Sequence, residues 1–263
     1  MSLISITSDF GSDSHYVAAL KAHIIGVLPG ASILDISHNI TSHNILQAAF
    51  VVRNSYKNFP VGSVHLIAVD SNIHKYKKYL VLEHAGQYFI TSDNGIADLL
   101  FDIDPSLVWQ FADELIVKDD LYPEKNVWAK VAAALINKKN IENLLRPYAG
   151  HRKMQSLKAV VSDDKIIASV IFIDSYQNAF LNVSKSEFER EHNGRNFKLY
   201  YAPRHPITKI SKTYSDVPEG EELALFNEND YLEIAINKGK ASSLLGLKLG
   251  NQVIVEFDKA IAD

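Results

Sequence analysis

The sequence predicts an α/β domain over residues 1–150 followed by a smaller, β-rich domain over residues 151–263. In the first part, short apolar runs of strand length alternate with stretches whose apolar residues recur every three or four positions, the pattern of strands separated by helices. After Arg146-Pro147-Tyr148-Ala149-Gly150-His151 the helical period fades and strand-like runs bounded by turn residues take over. With 47% apolar and 22% charged residues the chain is neither disordered nor membrane-like in composition, and 263 residues are enough to bury two modest cores.

Taken in order, Leu3-Ile4-Ser5-Ile6-Thr7 reads as a short buried strand that runs into a loop at Ser8-Asp9-Phe10-Gly11-Ser12. Val17, Leu20, Ile24 and Val27 then mark one face of a helix that stops before Pro29-Gly30. Ser32-Ile33-Leu34-Asp35-Ile36 is a second strand, and Asn44 with Gln47 resembles a capping box opening a second helix along Ile45, Ala48, Ala49 and Val52. Val64-His65-Leu66-Ile67-Ala68-Val69 is nearly continuous in apolar character, as a central parallel strand is. Tyr79-Leu80-Val81-Leu82 and Tyr88-Phe89-Ile90-Thr91 flank Ala85-Gly86-Gln87 as a hairpin, and Val127, Val131, Ala134 and Leu135 mark a further helix. The second part offers strands at 165–173, 179–183, 198–202, 222–226, 231–236 and 252–257, a set that suits a small barrel or a sandwich.

Composition also removes function classes. The absence of cysteine excludes disulfides, thiolate metal sites and thiol nucleophiles. A net charge of −4 with interspersed signs gives no basic footprint for nucleic acid. No apolar run reaches the length of a membrane span, and the uncharged start Met1-Ser2-Leu3-Ile4-Ser5 is unlike a secretory signal, so a cytoplasmic protein is expected. The twelve glycines form neither a phosphate-cradling nor a dinucleotide-binding motif. The ten histidines, His38 and His43 among them, lack the paired spacing of a helical zinc site, and no metal is expected.

Open α/β sheets bind ligands beyond the carboxyl ends of their strands. Three polar clusters fall at such ends: Asp9, then Asp70-Ser71-Asn72, then Ser92-Asp93-Asn94-Gly95. Carboxylates there can accept hydrogen bonds from ribose hydroxyls or hold an ammonium group, although the same residue types also make turns and caps.

Together these segments resemble the S-adenosyl-methionine hydroxide adenosyltransferase family, relatives of the fluorinase and chlorinase enzymes. The resemblance runs through Thr7-Ser8-Asp9-Phe10-Gly11, Tyr16-Val17-Ala18-Ala19-Leu20-Lys21, Asp35-Ile36-Ser37-His38, Phe59-Pro60-Val61-Gly62-Ser63-Val64-His65, Val69-Asp70 and Ser92-Asp93-Asn94-Gly95. It continues in Asp174-Ser175-Tyr176-Gln177-Asn178 with Asn182, and in Tyr231-Leu232-Glu233-Ile234-Ala235-Ile236-Asn237 with Gly239 and Ala241. It implies a Rossmann-like layered α/β domain, a C-terminal β-barrel, and a homotrimer with sites between subunits. It also implies hydrolysis of S-adenosyl-methionine to adenosine and methionine, by in-line displacement at the ribose 5′ carbon and without a cofactor. By position, Asp9 would hold the ribose hydroxyls, and Asp93 with Asn94 would shape the nucleoside pocket. Asp174 and Asn178 of the adjoining subunit would meet the methionine and adenine ends, and Asn237 with Lys238 would border the adenine.

The chain departs from the family pattern where water is activated, which in the family takes an Asp, an Arg and a His. Asp70 matches the Asp. The Arg position falls on Lys77, or on Lys78 if the register slips, and lysine lacks the planar guanidinium fork. The His position falls on Pro123, which can neither accept nor donate a side-chain proton, and Glu124 or His74 would have to compensate. Further departures are Ser14 at an acidic position, Gln177 at a glycine, and Asn227-Glu228-Asn229-Asp230 at a Ser- and Gly-containing turn. The expectation is therefore a hydrolase with Asp70 and Lys77 at the water site. The alternative is a trimer that binds S-adenosyl-methionine or adenosine without cleaving it.

Overall fold

The computed structural model describes residues 2–71, 78–101, 107–117, 119–202 and 206–258. The chain divides into two compact units, Met1–Ser156 and Leu157–Asp263.

The first unit is built on a seven-stranded mixed sheet of order β2-β1-β3-β5-β4-β6-β7. Its strands are β1 (Leu3–Ser8), β2 (Ser32–Ser37), β3 (Val64–Ala68), β4 (Tyr79–His84), β5 (Gln87–Ser92), β6 (Leu107–Phe111) and β7 (Leu145–Pro147). Strands β2, β1, β3 and β5 run parallel, while β4, β6 and β7 add on antiparallel. The helices are α1 (His15–Val27), α2 (Ile45–Ser55), α3 (Ile96–Leu100), α4 (Ala129–Asn137) and α5 (Ile141–Leu144).

Alternation along each strand explains why β3 has no polar face. Val64, Leu66 and Ala68 enter a core shared with Leu20 and Ile24 of α1 and Val131 of α4. Ile67 and the following Val69 enter a second core with Ala48 and Val52 of α2 and Leu99 of α3. A strand covered on both faces must be apolar on both, which is why the 64–69 run is nearly unbroken.

Local chemistry sets the element ends. Ser14 caps α1 through the Tyr16 amide. Asn44 accepts the Gln47 amide, but the Gln47 side chain accepts from the Thr41 amide rather than returning to residue 44, so the expected capping box is half formed. The hairpin turn is Ala85-Gly86, both in the left-handed region, and Gln87 already belongs to β5.

The second unit is dominated by an eight-stranded sheet. It comprises β8 (Val160–Ser162), β9 (Lys165–Ile173), β10 (Ala179–Ser184), β11 (Phe197–Tyr200), β12 (Ile210–Ser211), β13 (Glu222–Phe226), β14 (Tyr231–Ile236) and β15 (Gln252–Phe257). The order is β11-β15-β9-β10-β14-β13-β12, with β8 added on β9, and every pairing but β12 with β13 is antiparallel. Ile207 bridges back to Leu199 of β11, while Ile210 and Ser211, a few residues on, pair with β13. The segment from Ile207 to Ser211 thus touches both edges of a strongly curled sheet. Helices α6 (Lys185–His192) and α7 (Ala241–Leu245) complete the unit. Among the described residues no helix is long and apolar enough to cross a membrane.

Candidate functional site

The chain passes from β1 to β2 on one side and then to β3 on the other, so the order of strands reverses between β1 and β3. At such a switch point the loops after the two strands diverge and leave a crevice. Asp9 follows β1, Asp70 follows β3 and Asp93-Asn94 follow β5, so three of the expected carboxylates lie at the carboxyl ends of the parallel strands.

The crevice is held by its own acids. Asp9 Oδ2 accepts the His43 amide at 2.8 Å and the Asp70 amide at 3.4 Å, tying the loop before α2 and the loop after β3 to β1. Asp70 is buried and sits in the left-handed region at φ 48°, with its Oδ1 3.0 Å from His43 Nδ1. His43 is itself left-handed at φ 63° and largely exposed. Two non-glycine residues in this region, one from each of the two loops, meet through their side chains.

Asn94 and Asp93 close the other side. Asn94 donates through Nδ2 to the carbonyls of Val69 at 3.0 Å and Asp70 at 3.2 Å, so it positions the Asp70 backbone from below. Asp93 accepts the Arg152 amide at 2.7 Å and the Tyr148 hydroxyl at 3.4 Å. Gly95 follows at φ 98°, and a Cβ there would stand 3.2 Å from that of Met154, so this turn requires glycine. Lys78 lies with its ammonium 4.6 Å from the centroid of the Tyr148 ring and donates to Gln110 Oε1. Lys77 and His74 lie outside the described residues.

Glu124, one of the two residues the sequence offered in place of the missing histidine, gains weight from the structure. Pro123 caps a single π-helical turn, Glu124–Trp128, which leads into α4. Glu124 is 4% exposed, and the Ser71 hydroxyl donates to its Oε1. Burial, reinforced by Asp120 and Asp9 and opposed by the Ser71 bond, pushes this carboxyl up to about 7. The signal was present: Glu124 stands three and four positions before Val127 and Trp128, on the apolar stripe of its helix, where a carboxylate is out of place. An aromatic trio of Phe10, Tyr16 and Tyr122 packs nearby, with centroids 5.4–5.9 Å apart.

His38 and His65 are structural. His38 Nδ1 lies 2.7 Å from Ser8 Oγ and its Nε2 3.1 Å from Asp35 Oδ1, while the His38 carbonyl accepts the Gly11 amide. Ser8 is fully buried, so this serine–histidine–aspartate row locks the loop after β1 rather than presenting a nucleophile. His65 bridges Ser5 and Gln87 inside the sheet, and burial holds its imidazole below the ordinary value. Among the described residues no group of three or more His, Asp or Glu side chains is arranged to hold a metal ion.

In the second unit, Asp174 and Asn178 form one closed turn between β9 and β10. Asp174 Oδ1 accepts the Asn178 amide at 2.8 Å and Oδ2 accepts Asn178 Nδ2 at 3.3 Å. Gln177, in the same turn, is left-handed at φ 68°. Asn237 donates to the Val217 carbonyl at 2.8 Å, and Lys238, left-handed and exposed, pairs with Glu219 at 3.0 Å. Glu233 on β14 is another buried acid, 2.9 Å from the Tyr214 hydroxyl. Burial, with Asp174 adding to it, pushes the Glu233 carboxyl up to about 7.

Known proteins resemble the chain along almost its whole length. Family models of the SAM hydroxide adenosyltransferase N-terminal domain and C-terminal domain match residues 4–145 and 168–254. The chain is 27% identical to the (R)-S-adenosyl-L-methionine hydrolase of Methanocaldococcus jannaschii, over 98% of this chain and 97% of that protein. It is 24% identical to the (R)-S-adenosyl-L-methionine hydrolase of Thermus thermophilus, over 94% of this chain and 96% of that one. Among solved structures, an uncharacterized conserved protein from Thermotoga maritima superposes with a TM-score of 0.85 at 26% identity, covering 96% of this chain and 99% of that chain.

Proposed function

The chain belongs to the SAM hydroxide adenosyltransferase family, and from that premise we propose that it hydrolyses S-adenosyl-methionine to adenosine and methionine. The observation that carries the reading is the gathering of Asp9, Asp70, Asp93 and Asn94 at the switch point of the parallel strands. Support comes also from relatives named as hydrolases of this substrate over nearly their full length. In this reading Asp9 holds the ribose hydroxyls, while its Oδ2 accepts the His43 and Asp70 amides. Asp93 and Asn94 shape the nucleoside pocket. Asp70 faces the attacking water, with Lys77 in the role of the family's arginine.

The finer architecture belongs to the same proposal. We read the first unit as Rossmann-like and the curled sheet of the second as a β-barrel, the Ile207–Ser211 segment joining its edges. We read the active form as a cytoplasmic homotrimer without cofactor. In it, Asp174 and Asn178 of an adjoining subunit meet the methionine and adenine ends of the substrate, and the backbone around Asn237 and Lys238 borders the adenine.

The reaction needs a positioned nucleophile and a clamped ribose rather than a strong base, because a sulfonium is a good leaving group. One observation favours a second reading, binding without cleavage: Pro123 brings no proton-accepting side chain to the family's histidine position. A single experiment separates them. Purified protein is incubated with S-adenosyl-methionine, and adenosine and methionine are followed by chromatography beside an Asp70→Asn variant. Equimolar release of both products, reduced ~10²–10⁴-fold by Asp70→Asn, supports hydrolysis. Intact substrate together with measurable heat of binding supports the second reading.

A further inference from the structure

The hydrolase reading leaves one chemical gap, the destination of the water's proton once residue 123 is proline. Resting on that reading, we propose that Glu124 receives this proton, with the Ser71 hydroxyl as the relay. Three observations converge. The Ser71 hydroxyl is hydrogen-bonded to Glu124 Oε1, and Ser71 directly follows Asp70 at the end of β3. Ser71 is also anchored from the other side, its carbonyl accepting the Ser92 hydroxyl at 3.0 Å. Finally, Glu124 sits on a π-helical turn, an uncommon geometry that recurs at functional sites. A proton acceptor is thus restored one residue beyond the proline, on a different side chain and from a different direction.

The groups that bear on Glu124 come from each element around it: Asp9 from the loop after β1, Asp120 from the loop before the turn, Ser71 from the loop after β3, and Tyr79 from β4. Tyr122 lies beside it and in turn packs edge-on against Tyr16 of α1. A dry surround, reinforced by two carboxylates, holds the Glu124 proton affinity high, which suits an acceptor working near neutral pH.

The step balances as follows. The water oxygen forms its bond to C5′ as the C5′–S bond breaks, and the sulfur keeps the electron pair to become the neutral thioether of methionine. The water's proton passes to Ser71 Oγ while the Ser71 proton passes to the Glu124 carboxylate. Glu124 then returns the proton to solvent.

The test compares the full-length protein with its Glu124→Gln, Glu124→Asp and Ser71→Ala variants, measuring kcat and KM for adenosine release between pH 5 and 9. The proposal expects wild-type kcat to fall on the acid side of about pH 7, where Glu124 takes up its proton. Glu124→Gln and Ser71→Ala should each lower kcat, the former by ~10²–10⁴-fold, with KM little changed, and Glu124→Asp should recover part of the loss. A wild type that turns over without an acid limb near pH 7 overturns the proposal while leaving the hydrolase reading intact, even if Glu124→Gln does not fold. So does a folded Glu124→Gln protein with wild-type kcat. A wild type that releases no adenosine overturns both.

Discussion

Glu124 makes a prediction about stability that needs no substrate. Its carboxyl has an ordinary value of 4.5 and is pushed up to about 7 in the folded protein, chiefly by burial. Between these values the folded state holds a proton that the unfolded chain has released. Stability from this group is therefore fully present below pH 4.5 and is lost as pH rises through 7. A gap of about 2.5 units at ~1.4 kcal/mol each is on the order of 3 kcal/mol. Glutamine at this position keeps the size and can still accept from Ser71, but it does not titrate. The Glu124→Gln variant should therefore gain on the wild type by about 3 kcal/mol between pH 4.5 and 7.5, with no further change above that range.

Urea unfolding followed by tryptophan fluorescence reads this directly. Both tryptophans, Trp109 and Trp128, lie in the first unit, and Trp128 is fully buried at the end of the turn that carries Glu124. The signal therefore reports the unit in question even if the second unfolds separately. In thermal melts the same gain corresponds to roughly 6–12 °C for a unit of this size. A stability difference between the two proteins that stays constant from pH 4.5 to 7.5 would refute the reasoning, because it would mean that Glu124 titrates alike in the folded and unfolded states.

Two further predictions concern the second unit. Gly239→Ala would place a Cβ 2.3 Å from Ile236 Cγ2, inside any allowed contact, and should cost about 1–3 kcal/mol by scanning calorimetry. Gln177→Gly should raise stability by up to ~1 kcal/mol, because the left-handed φ of 68° strains a side-chain-bearing residue; a loss would mean that the bond from Ser243 to the Gln177 side chain outweighs the strain.

Much of the fold was legible because burial leaves a periodic trace. The β3 run could only be a strand covered on both faces, and the expected strands at 165–173, 222–226, 231–236 and 252–257 coincide with β9, β13, β14 and β15. Helix α6 was missed because Lys185-Ser186-Glu187-Phe188-Glu189-Arg190-Glu191-His192 buries a single apolar side chain, Phe188; its start is instead fixed by a capping box from Ser184 to Glu187. Strands β6 and β7 lie at the end of the sheet, where β7 is three residues long and carries too little pattern to register. At the site, Asp9, Asp70 and Asp93 were visible as polar residues after apolar runs. Nothing in their spacing shows that Asp9 clamps the amides of both His43 and Asp70, since those partners lie 34 and 61 positions away. Glu124 was visible only as one of two candidates, with His74, to replace the histidine lost at Pro123. Its weight comes from Ser71, 53 positions earlier, which the sheet brings to it.

The charge distribution at the switch point also fits the direction in which charge moves during hydrolysis. A sulfonium loses its positive charge as it leaves, so carboxylates placed against sulfur would hold the ground state more tightly than the transition state and slow the reaction. The attacking water gains positive charge as its bond to C5′ forms, and carboxylates placed there favour the transition state. Asp9, Asp70 and Glu124 gather around one point, with Asp9 bonded to the Asp70 amide and Asp70 followed at once by Ser71, which reaches Glu124. In the hydrolase reading that point belongs to the water rather than to the sulfur. Neutralising Asp70 should then fall on kcat and spare KM, since the interaction removed is one that strengthens only as the water becomes the product hydroxyl.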